Sequence, residues 1–155
     1  MDVKKVKGEI DEMAKTCLIG KELMESICKK LNERMLKYNW VGFYMMDAHE
    51  PDVLVLEPFM GAMTPHTRIR LNQGICGAAA STGATVVVDD VSKDPRYLAC
   101  SLETKSEIVV PVFVRGKIAG ELDIDSHFLS AFGPEDRELC EHCAKVMGTF
   151  LETHE

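Results

Sequence analysis

Apolar residues recur at intervals of three and four over residues 3–37, which is the spacing of one face of an α-helix. The residues on this face are Ile10, Met13, Ala14, Cys17, Leu18, Met24, Ile27, Cys28, Leu31 and Met35. Gly20 interrupts the run, and glycine weakens a helix interior. The pattern therefore predicts a helical region that is broken near Gly20.

Short apolar segments with polar links follow, and their lengths are typical of β-strands. Strands are predicted at 39–47, 52–61, 84–91, 106–114 and 117–126, with a short extended segment at 64–71. The link "DAHEP" and the pair Arg115-Gly116 are short enough for hairpins. Two further helices are predicted, at 74–83 between two glycines and at 132–152, where Pro134 falls near the first turn.

This order of elements predicts the fold class. Short links make consecutive strands antiparallel, and helices at the two ends of the chain are expected to pack together on one face of the sheet. We therefore predict an α+β fold in one domain, residues 1–155, with a central, mainly antiparallel sheet. A ligand pocket is expected on the opposite face, beneath the loops at 62–83 and 89–105.

Composition narrows the class of partner. The chain has 155 residues, is 46% hydrophobic and carries a formal net charge of −7, which argues against nucleic acid or an anionic membrane as the main partner. No apolar run is long enough to span a membrane, and the N-terminus is charged and helical in pattern rather than a signal peptide. We expect a cytoplasmic protein whose six cysteines are thiols and not structural disulfides.

Two cysteines are candidates for redox chemistry. Cys100 follows Asp94, Pro95 and Arg96 in a predicted loop, where a thiol is accessible and a nearby positive charge favours the reactive thiolate. Cys76 lies just inside the start of the predicted helix 74–83, where unsatisfied N–H groups lower a thiol pKa. The alternatives are a buried loop cysteine and a small residue packed between glycines.

The segment "GELDIDS" carries three carboxylates at alternate positions. Because alternate residues of a strand share a face, Glu121, Asp123 and Asp125 are predicted to face the pocket, where Glu107 of the neighbouring strand can join them. Crowded carboxylates raise one another's pKa, so that one can act as an acid near neutral pH, and they also suit an ammonium group. The alternative is a solvated outer face.

The segment "WVGFY" places Trp40, Gly42 and Tyr44 on one face of its strand. Two aromatic rings beside a glycine would form an open surface suited to a flat, cationic or sulfur-bearing group. The alternative is ordinary core packing.

The remaining motifs argue against metal or nucleotide chemistry. Cys140 and Cys143 form a C-x-x-C, but they fall within the apolar period of the last helix, and no second cysteine pair accompanies them. The five histidines have no ligand spacing, and no phosphate-binding or dinucleotide motif is present. We therefore predict no metal and no bound cofactor.

Taken together, the motifs resemble those of the free methionine-(R)-sulfoxide reductases, which are small GAF-domain enzymes. The segments that carry the resemblance occur in the family's order and at close to its spacing over roughly residues 8–150. They are "WVGFY", "EPFMG", "RIRLNQGICG", "VVVDDV", "YLACS", "SEIVVPV" and "GELDIDS". The "AC…SEIVVP" and "LDIDS" segments together are specific, because a generic GAF domain would not carry both.

The resemblance implies a GAF-type fold and a reaction. Cys100 would attack the sulfur of free methionine sulfoxide and become a sulfenic acid while a carboxyl group protonates the departing oxygen. A second thiol would then form a disulfide, which a thioredoxin-type reductant reduces, without another cofactor. The implied site residues are Cys100, Cys76 and Glu107 for catalysis, and Trp40, Tyr44, Glu107, Asp123 and Asp125 for substrate binding.

One position departs from the family. His66 stands where the family has its third cysteine, so the resemblance leaves the resolving role to Cys76 or to an external thiol. The alternatives to an enzyme are a GAF domain that senses a small ligand and a thiol redox sensor. The sequence also leaves open whether the protein is a homodimer.

Overall fold

The structure is a computed structural model that describes residues 2–97 and 102–154. In these residues helices lie at both ends of the chain and strands between them. The helices are α1 (Val3–Thr16), α2 (Gly20–Arg34), α3 (Gly74–Thr82) and α4 (Pro134–His154). The strands are β1 (Trp40–Met46), β2 (Val53–Met60), β3 (Arg68–Arg70), β4 (Val86–Val88), β5 (Ser106–Val114) and β6 (Lys117–Ser126).

The six strands form one sheet in the order β3-β2-β1-β6-β5-β4. Every neighbouring pair is antiparallel, so the predicted α+β class with an antiparallel sheet is confirmed. The central pair joins β1, from the first third of the chain, to β6, which lies beyond residue 116. Residues on β1 and β6 are therefore neighbours although they are far apart in sequence.

Two predicted segments are shorter than expected. The strand predicted at 84–91 is limited to β4, and residues Val91–Lys93 form a single 3₁₀ turn instead. The cause is local, because the Asp90 side chain accepts a hydrogen bond from the Ser92 amide and ends the extended conformation. Of the extended segment predicted at 64–71, only β3 pairs with β2.

The helices at the two ends of the chain pack together on one face of the sheet, as predicted: α2 and α4 lie on the strands, and α1 packs against these two helices. Phe43, Leu122 and Ile124 project from the central strands into this apolar cluster and are fully buried. A hydrogen bond of 2.7 Å between His142 Nε2 and Asp11 Oδ1 connects α4 to α1. The helical break near Gly20 is also confirmed, since α2 begins at that residue.

The opposite face is covered by the short helix α3. This helix consists mainly of small residues, which allow it to approach the strands closely. A Cβ atom at Gly77 would lie 2.8 Å from the carbonyl oxygen of Leu71 and 2.9 Å from that of Arg70, so a larger residue there would push the helix away. None of the helices in residues 2–97 and 102–154 is long and apolar enough to cross a membrane.

Candidate active site

A row of buried carboxyl groups lies on the α3 side of β6. Glu121, Asp123 and Asp125 are at most 5% exposed, and the apolar residues between them point into the helical face. Glu107 of β5 lies directly opposite Asp125 and is buried as well. The alternation predicted from the sequence is therefore present, and these acids are not on a solvated outer face.

The buried acids hold protons more tightly than ordinary carboxyl groups. Burial raises the pKa of Glu107 well above its usual range, and the nearby charges of Asp123 and Asp125 raise it further. Burial also raises the pKa of Asp123, although hydrogen bonds with Glu107 and Cys76 partly offset this. Glu107 and Asp123 therefore form a pair of carboxyl groups that can share a proton.

The Cys76 thiol lies against this row from the first turn of α3. Its Sγ donates a hydrogen bond of 3.4 Å to Oδ2 of Asp123. Burial raises the pKa of this thiol well above its usual value, and the charges of Asp123, Glu121 and Glu107 raise it further. The expectation that the helix start lowers this pKa is therefore wrong.

The size of each electrostatic effect explains why the start of α3 does not lower the pKa of Cys76. A helix end contributes about 0.3–1 kcal/mol to a charge near it. One like charge at 4 Å contributes about 4 kcal/mol at an effective dielectric constant of 20. Three carboxyl groups surround the thiol, so their effect, added to burial, outweighs that of the helix.

Several oxygens in the acid row lack a hydrogen-bond donor within the described part of the chain. They are both carboxyl oxygens of Glu121 and the Oδ1 atom of Asp123. The Cys76 thiol is close enough to Glu121 to lower its pKa slightly, but burial dominates and raises it. The sequence pattern predicted that Glu121 faces the pocket, but Glu121 was not among the predicted site residues. Its position two residues before Asp123 was the signal for its burial here.

A small cavity lies between α3 and the sheet. Its volume is about 30 Å³, and its lining consists of Tyr44, His66, Ile69, Gly74, Ile75, Cys76, Glu107 and Asp123. This is room for about one or two water molecules, so an amino acid can enter only if the surrounding segments move apart. The structure thus brings four of the predicted site residues to one cavity: Cys76, Glu107, Asp123 and Tyr44. Trp40 and Asp125 lie beside it without lining it.

The two predicted aromatic residues are covered rather than open. The Trp40 ring centroid lies 5.5 Å from that of Phe59 and 6.3 Å from that of Tyr44. Trp40 Nε1 donates to the carbonyl oxygen of Ala62 at 3.0 Å, and the Tyr44 hydroxyl donates to that of His66 at 2.7 Å. Both rings therefore fix the segment after β2 over the sheet.

Gly42 makes this arrangement of rings possible. A Cβ atom at this position would lie 2.5 Å from Cη2 of Trp40, so the indole can cross the strand only over a glycine. Gly42 is also directly opposite Asp123 in the β1–β6 pairing. Position 42 therefore contributes no side chain beside Asp123.

Cys100, the predicted nucleophile, lies outside the described residues. Tyr97, three positions before it in the sequence, packs against the apolar cluster on the α3 side of the sheet. The described chain therefore reaches residue 97 on the face that carries the cavity.

Comparison with known proteins identifies the domain family of this chain. Residues 21–151 match the GAF domain family. A free methionine-R-sulfoxide reductase from Saccharomyces cerevisiae is 44% identical over 110 residues, which cover 70% of this chain and 61% of that protein. One from Escherichia coli is 38% identical over 123 residues, which cover 77% of this chain and 72% of that protein.

A solved structure agrees with these relatives. The free methionine-R-sulfoxide reductase from Neisseria meningitidis, solved in complex with its substrate, superposes with a TM-score of 0.92 at 36% identity, covering 98% of this chain and 89% of that chain. The chain belongs to the free methionine-R-sulfoxide reductase family of GAF-domain proteins. The resemblance found in the sequence motifs is thus confirmed. The matched region spans less than two thirds of the yeast relative's length.

Proposed function

We propose that this chain reduces free methionine-R-sulfoxide to methionine. The observation that carries the proposal is the cavity, in which a buried thiol, Cys76, meets two proton-holding carboxyl groups, Glu107 and Asp123, in a chain of this family. A reaction that removes an oxygen atom needs both a proton donor and thiols that take up the oxidation.

In the first step the Cys100 thiolate attacks the sulfoxide sulfur. The substrate S–O bond and the transient S–S bond then break, and the oxygen ends on the Cys100 sulfur as its hydroxyl group. The sulfoxide gains two electrons and becomes methionine, while Cys100 loses two and becomes a sulfenic acid. The departing oxygen needs a proton, which Glu107 or Asp123 supplies. Their raised pKa keeps that proton in place near neutral pH.

The carboxyl row selects the free amino acid. An α-ammonium group brought next to Asp123, Asp125 and Glu107 gains charge-assisted hydrogen bonds. It favours ionisation of one of these acids, while another keeps the proton that the departing oxygen needs. A methionine residue within a peptide has no such charge. Trp40 and Tyr44 supply the apolar side of the site for the sulfur-bearing side chain.

In the second step Cys76 resolves the sulfenic acid. The Cys76 thiol gives up its proton, its sulfur bonds to that of Cys100, and the sulfenic hydroxyl leaves as water. Asp123 already accepts the hydrogen bond from this thiol and is placed to take the proton. A thioredoxin-type dithiol then reduces the disulfide, and we place this cycle in the cytoplasm, where thiols stay reduced.

The direct test is an assay with both stereoisomers. The protein is incubated with free methionine-R-sulfoxide or methionine-S-sulfoxide in the presence of a thioredoxin system, and methionine release is measured by chromatography. We expect release from the R isomer and little or none from the S isomer. No release from either isomer, with a protein that is folded by circular dichroism, contradicts the proposal.

A non-enzymatic sensor of a small ligand is the second candidate. His66, on the cavity wall, favours it because this residue replaces a cysteine that the motif resemblance leads us to expect. Calorimetry distinguishes the two functions. A sensor binds the sulfoxide without releasing methionine, whereas the reductase consumes it.

A further inference from the structure

We propose that the cavity binds a thiophilic divalent cation of the zinc class on Cys76, Glu107 and Asp123, and that this cation blocks the site. The binding half of the proposal stands alone, whereas the blocking half rests on the proposed reductase function. No sequence motif indicates such a site, because its three ligands come from α3, β5 and β6 and have no metal-binding spacing.

The distances fit a metal with little rearrangement. One ligand atom from each of the three residues lies within 4.8 Å of the other two, and all three residues are buried. With bonds of about 2.3 Å to sulfur and about 2.1 Å to oxygen, two ligands on a tetrahedral zinc ion lie roughly 3.4–3.6 Å apart. The distance from Cys76 Sγ to Asp123 Oδ2 is already 3.4 Å.

A second observation points to a bound cation. Oδ1 of Asp123, on a residue that is only 5% exposed and lines the cavity, has no hydrogen-bond donor in the described part of the chain. A buried carboxyl oxygen without a donor is costly, and a cation removes that cost. Both oxygens of the neighbouring Glu121 also lack a hydrogen-bond donor in the described residues.

The ligand set determines which cation fits. A thiolate among the ligands favours zinc or cadmium over magnesium or calcium, which prefer oxygen ligands alone. Three protein ligands leave one tetrahedral position, which a water molecule can fill. Within residues 2–97 and 102–154, no second group of three such side chains converges in this way.

Binding is expected to release protons and to tighten with pH. The cation must replace the thiol proton of Cys76 and the proton shared by Glu107 and Asp123. The cation also occupies the carboxyl groups that we assign to the substrate ammonium, and it holds the sulfur that we assign to disulfide formation. Free zinc should therefore inhibit turnover in competition with methionine sulfoxide.

Cadmium titration is the test, because a thiolate–cadmium bond absorbs in the ultraviolet and needs no enzymatic activity. The protein is freed of metal with a chelator, kept reduced with a phosphine and titrated with Cd²⁺. We expect one equivalent to bind with this absorption. The Cys76→Ser variant should lose the band, and Asp123→Asn should weaken binding by at least about tenfold.

Matched controls separate this site from other thiols. Cys143→Ser and Cys140→Ser each remove a buried thiol on the other face of the sheet. Both variants should keep the band and the stoichiometry. A full band in Cys76→Ser, or its loss in Cys143→Ser, would overturn the proposal, and circular dichroism confirms that each variant is folded.

Turnover then tests the blocking half. Zinc should inhibit methionine release, a chelator should reverse the inhibition, and higher methionine sulfoxide should weaken it. Turnover that is unaffected by saturating zinc contradicts the blocking half. If cadmium binds as described but no methionine is ever released, the metal site stands and the reductase function fails.

Discussion

Both faces of the sheet are buried, but the helical face buries apolar residues and the α3 face also buries carboxyl groups. On the helical face Cys28, Cys140 and Cys143 lie within an apolar cluster, and burial raises the pKa of each thiol. On the α3 face Cys76 is buried beside carboxyl groups, and its pKa is raised by their charges as well. Apolar burial on the helical face therefore stabilises the fold, whereas the buried acids on the α3 face lower its stability.

The first prediction compares the thiols of the helical face with the proposed nucleophile. Cys100→Ser should abolish methionine release, because a hydroxyl replaces the thiolate that attacks sulfur. Cys143→Ser should leave turnover nearly intact, since that thiol lies in the apolar cluster away from the cavity. The measurement is methionine release under saturating substrate. Substantial activity in Cys100→Ser would show that another thiol is the nucleophile.

The second prediction concerns recycling. Cys76→Ser should complete one turnover and then stop with thioredoxin, because the Cys100 sulfenic acid has no internal partner, whereas a small thiol such as dithiothreitol should restore cycling. Cys140→Ser is the matched control and should cycle normally. Adding His66→Cys to Cys76→Ser should restore a resolving thiol.

Peptide mapping of substrate-treated protein is the direct measurement for recycling. It should find a Cys76–Cys100 disulfide, which requires the two Cα atoms to come within about 7 Å during turnover. Normal cycling of Cys76→Ser with thioredoxin, together with no such linkage, would leave resolution to an external thiol.

The third prediction measures how much the helical face stabilises the fold. Leu122 is fully buried between the sheet and the helices, so Leu122→Ala should lower the free energy of unfolding by about 2–5 kcal/mol. Leu36→Ala changes a side chain that is 81% exposed and should stay within about 0.5 kcal/mol. Urea unfolding provides both values, and equal effects would mean that the apolar cluster is not the main stabilising region.

The fourth prediction uses charge on the α3 face. Asp123→Asn keeps the shape of the side chain and removes its charge. The expected loss in binding the substrate ammonium is about 1.5–3 kcal/mol, which raises KM roughly 10- to 100-fold. N-acetylated methionine sulfoxide should be a poor substrate of the parent protein for the same reason. Equal kcat/KM for the free and acetylated compounds would refute recognition of the ammonium.

The fifth prediction measures how much the buried acid Glu121, on the α3 face, lowers the free energy of unfolding. Because burial raises the pKa of Glu121, the folded state binds a proton that the unfolded state has lost at pH values above the ordinary carboxyl pKa. The free energy of unfolding should therefore fall as the pH rises from the ordinary carboxyl pKa towards the raised pKa of Glu121 in the folded state. Glu121→Gln should reduce this fall and raise the free energy of unfolding by on the order of 1 kcal/mol at pH 8. The exposed control Glu33→Gln should change neither, as measured by urea unfolding across pH.

The sequence predicted the sheet well because its signals are local. Alternation along β6 was sufficient to separate Leu122 and Ile124 from the acids, and short links were sufficient to make the strands antiparallel. The family was recognisable from the order and spacing of its motifs. The length of β4 was overestimated because an apolar run does not reveal that the Asp90 side chain caps a turn.

The site was harder to predict because its electrostatics are not local. The pKa of Cys76 was expected to be low from its own helix. Burial raises it most, and the charged groups that raise it further lie on β5 and β6, dozens of positions further along the chain. The closeness of Cys76, Glu107 and Asp123 likewise depends on how α3 packs on the sheet. The structure brings four of the predicted residues to one cavity, but the catalytic and binding roles of all seven stay predictions: Cys100, Cys76, Glu107, Trp40, Tyr44, Asp123 and Asp125.

The central position of β1 and β6 in the sheet has a consequence for how the protein folds. Trp40 lies opposite Asp125, and Gly42 opposite Asp123, so the middle of the sheet cannot form until distant parts of the chain meet. Such pairings must overcome a large loss of chain entropy before they are stabilised, and domains rich in them fold in roughly milliseconds to seconds. Until then the cysteines of both faces are unprotected and can pair wrongly. Refolding yield should consequently depend on the reductant, even though the native protein is expected to need no disulfide.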